Sequence, residues 1–304
     1  MKKNTFIAFS VFLLLFLLFS CGSDTEDSEI NDLLADFEYA DSLQKQVVVS
    51  EEIINEMIHS IPPPIEMTSL IISSGAIFDQ QLLNDPGKIN NYESALLKAI
   101  NLGIYGTELG YLNIYKKTML SIDYISAVRT LSKDLKVDQF FDFHTLKRLA
   151  ASSDNVDSLI NISTQGFSRM DAYLREQNRT KTSVMIVTGT FVESLFLATQ
   201  ITYKTPNDQL IERIGEQKIS LNNMILMLEV YKKDSELNKL ISYFKDLKII
   251  YDEVEIITTY GDPITKEVNG MLVIEDQSTS EVKMNDETLL KIIEKIKELR
   301  TKII

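Results

Sequence analysis

One segment, Val184 to Ala198 (VMIVTGTFVESLFLA), constrains the fold most strongly, because its apolar residues lie on nearly every side of a helix. A helix that is apolar all round must be buried among other elements. We therefore predict that this segment is a buried central helix. Glu193 is the one acidic residue inside it.

Apolar residues recur every three or four positions in the C-terminal half of the chain, which is the spacing of one helix face. One such series, interrupted only by Lys218, is Ile211, Ile214, Leu221, Ile225 and Leu228, and the other is Leu240, Phe244, Leu247, Tyr251 and Val254. They predict two antiparallel neighbouring helices joined near residues 232–235. The first of them should begin at Thr205-Pro206, with Thr205 as the capping residue.

Two short runs near the C-terminus, Met271 to Glu275 and Glu281 to Met284, are joined by polar turn residues. They predict one β-hairpin at about 271–284, and no third strand is evident. Since an isolated hairpin is marginal in water, we expect it to pack on the helices. A final helix is predicted at about 286–303. The fold class is therefore mainly α: a multi-helix bundle of about eight or nine helices with one small β-hairpin near the C-terminus.

Glycine is scarce in this chain, with 11 residues, yet three lie at spacings of three and four in the predicted helix around Tyr92 to Tyr115. Each of these residues, Gly103, Gly106 and Gly110, costs about 0.5–1 kcal/mol relative to alanine in a helix interior. A stripe of them indicates that a neighbouring backbone packs closely against this helix.

The N-terminus has the organisation of a bacterial secretory signal. Lys2 and Lys3 form a basic head, and the apolar run Phe6 to Phe19 is shorter than the ~18–20 residues that span a bilayer as a helix. The string LFSC, which ends at the only cysteine, Cys21, resembles the lipobox of bacterial lipoproteins. The resemblance implies that Cys21 receives a diacylglyceryl group and becomes the mature N-terminus after a signal peptide, residues 1–20, is removed. The alternative is a retained signal anchor with Cys21 as a buried thiol.

An acidic segment follows the cysteine: Ser23 to Glu29 reads SDTEDSE, with four acids and no base. It predicts a solvated tether, at about 21–40, that keeps the domain clear of the lipid headgroups. The segment is similar to the acid-rich signal that exports lipoproteins of Bacteroidota to the outer face of the outer membrane. Gly22, where an aspartate would favour the inner membrane, agrees with this. The resemblance implies a lipid anchor in the outer membrane, with display at the cell surface favoured over a periplasmic orientation.

The charge of the chain excludes one class of partner. Loss of Lys2 and Lys3 with the signal would change the net charge from −13 to −15. Affinity for nucleic acid comes mainly from Lys and Arg on phosphates, so we predict no nucleic-acid partner. An anionic membrane surface would repel the chain as well, and membrane contact should therefore depend on the lipid at Cys21. Residues 41–304 are predicted to form a single helical domain.

Together with the lipobox, three segments resemble a group of uncharacterised α-helical lipoproteins of Bacteroidota. They are IPPPIEMTSLIISSGAIFDQQLLND (61–85), the glycine-tyrosine helix described above, and TGTFVESLFLATQ (188–200). The resemblance covers most of the mature chain and implies an α-helical fold. It implies no activity.

No catalytic, cofactor or metal site is predicted. His59 and His144 are far apart and only one cysteine exists, so the spacing of a zinc site is missing. Three strings occur in the order seen in penicillin-binding proteins, namely SLQK (42–45), SDN (153–155) and KTS (181–183). The last ends in serine instead of glycine and no sheet supplies its edge strand, so acyl-transfer chemistry is not predicted.

Glu193 is the candidate ligand-binding residue. A carboxylate in an apolar helix is either paired with a base from another helix, for which Arg169, Arg175 and Arg179 are candidates, or a polar anchor in an apolar pocket. We predict a binding or assembly role at the outer membrane, with an envelope protein or a small molecule as partner. The alternative is a small-ligand carrier or enzyme with an interhelical pocket at Glu193, which a pocket of a few hundred Å³ converging on that residue would favour.

Overall fold

The computed structural model describes residues 51–62, 64–151, 156–259, 261, 264–268, 271–275 and 279–304. The predicted signal peptide, the acidic tether and Cys21 lie outside these residues, as do the strings SLQK and SDN. The described residues all belong to one compact unit.

Ten α-helices and four short strands make up most of the described part of the chain. The helices are α1 (Glu51–Ser60), α2 (Pro64–Ser73), α3 (Ala95–Ile114), α4 (Thr118–Asp134), α5 (Phe143–Ala150), α6 (Val156–Glu176), α7 (Thr180–Lys204), α8 (Asp208–Glu229), α9 (Ser235–Tyr251) and α10 (Asp286–Ile303). The prediction of a mainly α fold is confirmed, and the helix count exceeds the predicted eight or nine. One cause is α5, which is too short for its periodicity to register in a window of 11–18 residues.

α7 is the buried central helix, as predicted. It contacts α1, α2, α3, α6, α8 and α10. By length and composition α7 could cross a membrane, but the described structure buries 78% of its most apolar 18-residue window. A helix that is buried to this extent is a core helix of the fold.

α3 and α7 approach each other closely. A Cβ atom on Gly103 would lie 2.0 Å from the carbonyl oxygen of Ile186, and one on Gly189 would lie 1.9 Å from that of Ile100. No side chain fits at either position, so the two backbones touch only because both residues are glycine. The predicted close packing is confirmed at Gly103.

The predicted helical hairpin is present as α8 and α9, but its predicted start is wrong. The cap of α8 is Asn207, whose side chain accepts a hydrogen bond from the N–H of Leu210 at 3.1 Å. Thr205 ends α7 instead, donating its own N–H to the carbonyl of Ile201 at 2.8 Å. Asparagine caps helices at least as well as threonine, and Asn207 directly precedes the first helical residue.

Four strands form two antiparallel pairs near the C-terminus. They are β1 (Glu255–Thr259), β2 (Ile264–Val268), β3 (Met271–Glu275) and β4 (Thr279–Lys283). β2 pairs with β3. β1, which precedes β2 in sequence, pairs with β4, which follows β3. The hairpin near the C-terminus is therefore present, but the prediction that its two runs pair with each other is wrong. The missed strand β1 is mostly exposed and lacks the apolar alternation of a half-buried strand.

The outer strand pair packs on a helix, as expected. β4 contacts α8, where a Cβ on Gly215 would lie 2.3 Å from Cγ1 of Val282. The chain then enters α10, which spans Asp286–Ile303, the predicted bounds, with Asn285 as its cap.

Replacement of Gly189 tests the contact between α3 and α7. Gly189→Ala should lower the free energy of unfolding by about 1–3 kcal/mol or more, because the new methyl group overlaps the backbone of α3. Gly110→Ala, on α3 itself, is the matched control, since a Cβ there meets no atom within 4 Å. It should raise stability by up to about 1 kcal/mol. Urea unfolding of both variants measures the difference, and equal effects would contradict the close contact.

Candidate functional site

Glu193 lies in a buried ion pair with Arg300. The carboxylate is fully buried, and the guanidinium of Arg300, from α10, donates to it from Nε at 2.5 Å and from Nη2 at 3.0 Å. Paired donation of this kind is the strongest geometry for an arginine and a carboxylate. Arg300 is therefore the basic partner that the buried carboxylate of Glu193 needs.

The three predicted partners of Glu193 are wrong. Arg169 donates to the carbonyl of Phe140, Arg175 pairs with Asp171, and Arg179 donates to the carbonyl of Leu135. These arginines are close to Glu193 in sequence but face other elements. α10 brings Arg300 to α7 from the far end of the chain.

A second buried carboxylate, Glu108 of α3, shares the same guanidinium. Arg300 Nη2 lies 3.1 Å from Oε1 of Glu108 and 3.2 Å from the carbonyl oxygen of Leu82. The backbone N–H of Asn84 donates to the same Oε1. The guanidinium also lies over the ring of Phe196, 4.2 Å from its centroid, in a cation–π contact. We call Arg300, Glu193 and Glu108 the buried triad.

Tyrosines extend this network on the side of Asn84. Its Nδ2 donates to the hydroxyls of Tyr92, at 2.8 Å, and Tyr105, at 3.1 Å. The backbone carbonyl of Asn84 accepts a hydrogen bond from the hydroxyl of Tyr124 at 2.9 Å. Buried polar groups that satisfy one another in this way hold the segment between α2 and α3 in one arrangement.

The charge balance of the buried triad requires one extra proton. Two carboxylates face one guanidinium, and none of the three side chains is more than 8% exposed. Burial, and then the charge of Glu193, raise the pKa of Glu108 well above its ordinary value. Burial also raises the pKa of Glu193, but Arg300 opposes that rise. We infer that Glu108 holds the proton and donates it to Glu193, so that the triad is neutral overall.

A cavity of about 410 Å³ lies elsewhere, between α1, α3, α6 and α7. Its lining is mainly apolar. On α7 the lining ends at Thr190, three residues before Glu193, and neither Glu108 nor Arg300 belongs to it. The structure therefore separates the candidate residue Glu193 from the cavity.

Two glycines of α3 shape this cavity. A Cβ on Gly106 would lie 2.5 Å from the ring of Phe167 on α6, so this glycine makes room for the ring. A Cβ on Gly110, one turn later, would meet no atom within 4 Å. Open space thus replaces the close backbone contact that the glycine stripe predicted at this point.

Two residues of the cavity lining each have a buried N–H donor without a hydrogen-bond partner among the described residues. These donors are Nδ2 of Asn113, a side chain that is 2% exposed, and Nε of Arg175. An unpaired buried donor costs about 1–3 kcal/mol. Sequence reasoning named Arg175 only as a candidate partner of Glu193 and did not name Asn113, because an Asn or Arg carries no local signal that its donor will lack an acceptor.

The rest of Arg175 is held in place. Its Nη2 pairs with Asp171 at 2.9 Å, one helical turn earlier, and Asp171 also accepts from the hydroxyl of Ser183 in the first turn of α7. All three residues line the cavity. We call them the Arg175 end of the cavity. The side chains of Arg175 and Asp171 are partly exposed, at 19% and 23%, so this end reaches solvent, whereas Ser183 is buried.

Comparison with protein-family models, with curated proteins and with solved structures finds no match to this chain. Of the three strings that occur in the order seen in penicillin-binding proteins, the described residues contain only KTS (181–183). Its Lys181 pairs with Asp234 on the surface. The functional interpretation therefore depends on the cavity, the buried triad and the N-terminal sequence.

Replacements in the buried triad test where the proton lies. Glu108→Gln keeps an acceptor for Arg300 and a donor for Glu193, and should change the free energy of unfolding by less than about 1 kcal/mol. Combining it with Glu193→Gln removes every ionised partner of Arg300 and should cost about 3–5 kcal/mol. Urea unfolding near neutral pH measures both. A large loss from Glu108→Gln alone would place the proton elsewhere.

The raised pKa of Glu108 also predicts a pH dependence. An unfolded glutamate has a pKa of ~4.3, so above that pH unfolding releases the proton that Glu108 holds in the fold. The stabilising contribution of this protonation is fully present below the ordinary pKa and is lost as pH rises toward the raised folded value. The stability of the wild type relative to Glu108→Gln should therefore fall with rising pH. A difference that does not vary with pH would contradict the assignment.

Proposed function

We propose that this chain is a lipid-anchored binding protein of the bacterial outer membrane that holds a small, mainly apolar ligand in the cavity between α1, α3, α6 and α7. The observation that carries the proposal is the cavity of about 410 Å³, whose mainly apolar lining includes the polar side chains of Asn113 and Arg175. Ligand sites are typically concave, mainly apolar and about 300–1,000 Å³ in volume, with a few polar groups that orient the ligand.

The residues that line the cavity support the binding of a small molecule. Gly110 leaves open space where almost any other residue would fill part of the cavity. The side chains of Asn113 and Arg175 add polar groups to a lining that is otherwise mainly apolar. A cavity with these properties favours a small molecule over an envelope protein as the partner, and favours binding over catalysis.

The proposed location comes from the N-terminal sequence. The lipobox-like string at Cys21, the acidic segment after it and the resemblance to lipoproteins of Bacteroidota support an outer-membrane anchor with outward display. Two or more acyl chains on one residue give stable anchoring, since each buried CH₂ contributes ~0.8 kcal/mol. The acidic chain would then contact the membrane through its lipid alone.

The anchor is tested at Cys21. Cys21→Ala removes the thiol that would receive the diacylglyceryl group, so the variant should be released from membrane pellets or should stay uncleaved. Membrane fractionation and intact mass measure both outcomes. Normal processing of a variant that stays membrane-bound would rule out lipidation at this residue.

The cavity is tested at Gly110. Gly110→Leu places a side chain in the open space and should abolish binding, while the helix is no less stable than before. The control, Gly110→Ala, adds one methyl group and should keep most of the binding. Native mass spectrometry of full-length protein from membranes should show a small molecule on the wild type and on Gly110→Ala, and none on Gly110→Leu. A wild type without any bound molecule, or a Leu variant that retains it, would contradict the proposal.

A further inference from the structure

Three exposed apolar side chains lie at one end of the bundle, where α3 and α7 end and α4 begins. Ile77, Met119 and Tyr203 are 85%, 76% and 63% exposed, and they are among the four most exposed large hydrophobic side chains in the described part of the chain. We call them the apolar end. A single exposed hydrophobic residue is ordinary, whereas a group of them in one place marks an interaction surface.

Ile77 belongs to the loop that follows α2 and covers the C-terminal end of α3. The carbonyl of Ala76 accepts a hydrogen bond from the hydroxyl of Tyr115 at 2.7 Å, which holds the loop on the end of α3. Nζ of Lys117 lies 4.8 Å from the centroid of the Phe78 ring. The segment between α3 and α4 is therefore in contact with this loop.

Two lysines connect the other members of the apolar end to the same loop. Met119, in the first turn of α4, is two residues after Lys117. Tyr203 directly precedes Lys204, whose ammonium pairs with the carboxylate of Asp79 in the loop. All three apolar side chains are thus carried by segments that contact one another.

The charges near the apolar end balance. The charged side chains within five residues of its members along the chain are Lys116, Lys117, Lys204, Asp79, Asp123 and Asp208. The net charge of −13 therefore comes from the rest of the chain. No local excess of acid opposes contact between this end and a membrane surface. Lysine can also extend its apolar stem so that the ammonium stays among the headgroups.

The chemistry of the apolar end suits a bilayer better than a protein. Tyrosine has an apolar ring with a polar tip, which fits the boundary between headgroups and acyl chains, and isoleucine and methionine can enter that boundary. A stable protein interface needs about 800 Å² on each partner with matched shapes. Three protruding side chains separated by lysines do not form such a surface, whereas a fluid bilayer adapts to them.

The proposed anchor would keep a bilayer within reach of this end. Cys21 and Glu51, the first residue of α1, are 30 residues apart, and a chain of that length spans at most about 100 Å. A tethered contact is intramolecular, so it needs little affinity of its own. The cavity is close as well, because Gly110 and Asn113 of its lining are in the last two turns of α3. An apolar ligand would be dissolved in the bilayer that this end contacts.

We propose that the apolar end docks on the surface of the outer membrane, with Ile77, Met119 and Tyr203 inserted at the boundary between headgroups and acyl chains. The inference rests on the proposed lipid anchor. The net charge of the chain, taken by itself, limits membrane contact to the lipid at Cys21. The apolar end adds a second, local contact, which holds the cavity next to the bilayer.

Single tryptophans test the docking, because the chain contains no tryptophan. Ile77→Trp, Met119→Trp and Tyr203→Trp are made separately in the lipid-anchored protein, which is purified from membranes and reconstituted in phosphatidylcholine vesicles. All three positions are exposed, so the substitutions leave the core unchanged. Phosphatidylcholine brominated on its acyl chains should quench each tryptophan, and the emission of each should shift to shorter wavelength on reconstitution.

Val230→Trp is the control at the opposite end of the bundle. Val230 is exposed and lies four residues before Asp234, which pairs with Lys181 in the first turn of α7. Lys204, in the last turn of α7, pairs with Asp79 near the apolar end. At 1.5 Å per residue, the two lysines are about 35 Å apart along α7. A tryptophan at position 230 should therefore be neither quenched nor shifted.

Further replacements test whether the apolar side chains cause the contact. Met119→Ser and Tyr203→Ser, added to Ile77→Trp, remove most of the apolar area of this end. They should weaken the quenching, although Cys21 still anchors the protein. Quenching that the two serines leave unchanged would overturn the docking proposal.

Co-sedimentation with the vesicles separates the two proposals. Protein that does not co-sediment would lack the anchor, which overturns the proposed location and the docking together. Protein that co-sediments, with tryptophans at the two ends quenched equally or not at all, would keep the anchor and overturn the docking. A shift to shorter wavelength without quenching would indicate a protein contact at the apolar end and would also overturn it. Quenching confined to the apolar end and weakened by the serines supports the inference.

Discussion

The charge of Arg300 is the constraint on which the centre of the bundle depends. Its guanidinium is bonded to Glu193 of α7, to Glu108 of α3 and to the carbonyl of Leu82. A buried ion without partners costs several kcal/mol, so these segments must all be in place before the charge is satisfied. The last helix of the chain is thereby tied to the middle of the fold. The extra proton on Glu108 lets two carboxylates share one cation without a net buried charge.

Three glycines within two turns of α3 have three different surroundings. Gly103 admits the backbone of α7, Gly106 admits the ring of Phe167, and Gly110 leaves the cavity open. Glu108, two residues from both Gly106 and Gly110, points to nearly the opposite side of the helix at 3.6 residues per turn. One helix therefore separates the buried triad from the cavity.

The features that could be predicted from the sequence depend on the residue pattern of short, continuous segments. The buried central helix and the need of Glu193 for a base follow from the pattern of one segment. The partner, Arg300, is 107 residues away, and nearness in sequence favoured the wrong arginines. Strand pairing failed for a different reason, because Ile264–Val268, the partner of Met271–Glu275, is adjacent in sequence but was not recognised as a strand. The cavity had no sequence signal at all: Gly103 and Gly110 look alike in a helix, and only the elements around them make one a contact and the other a void.

Two sets of buried polar groups in the described part of the chain differ in their hydrogen bonds. Those of the buried triad satisfy one another, and a ligand could reach them only by breaking an ion pair at a cost of several kcal/mol. Those of the cavity, Asn113 and Arg175, hold donors that no described residue accepts. A molecule that binds only the folded state stabilises it in proportion to its occupancy. Ligand binding would therefore add to the stability of the fold, which the buried triad maintains while the cavity is empty.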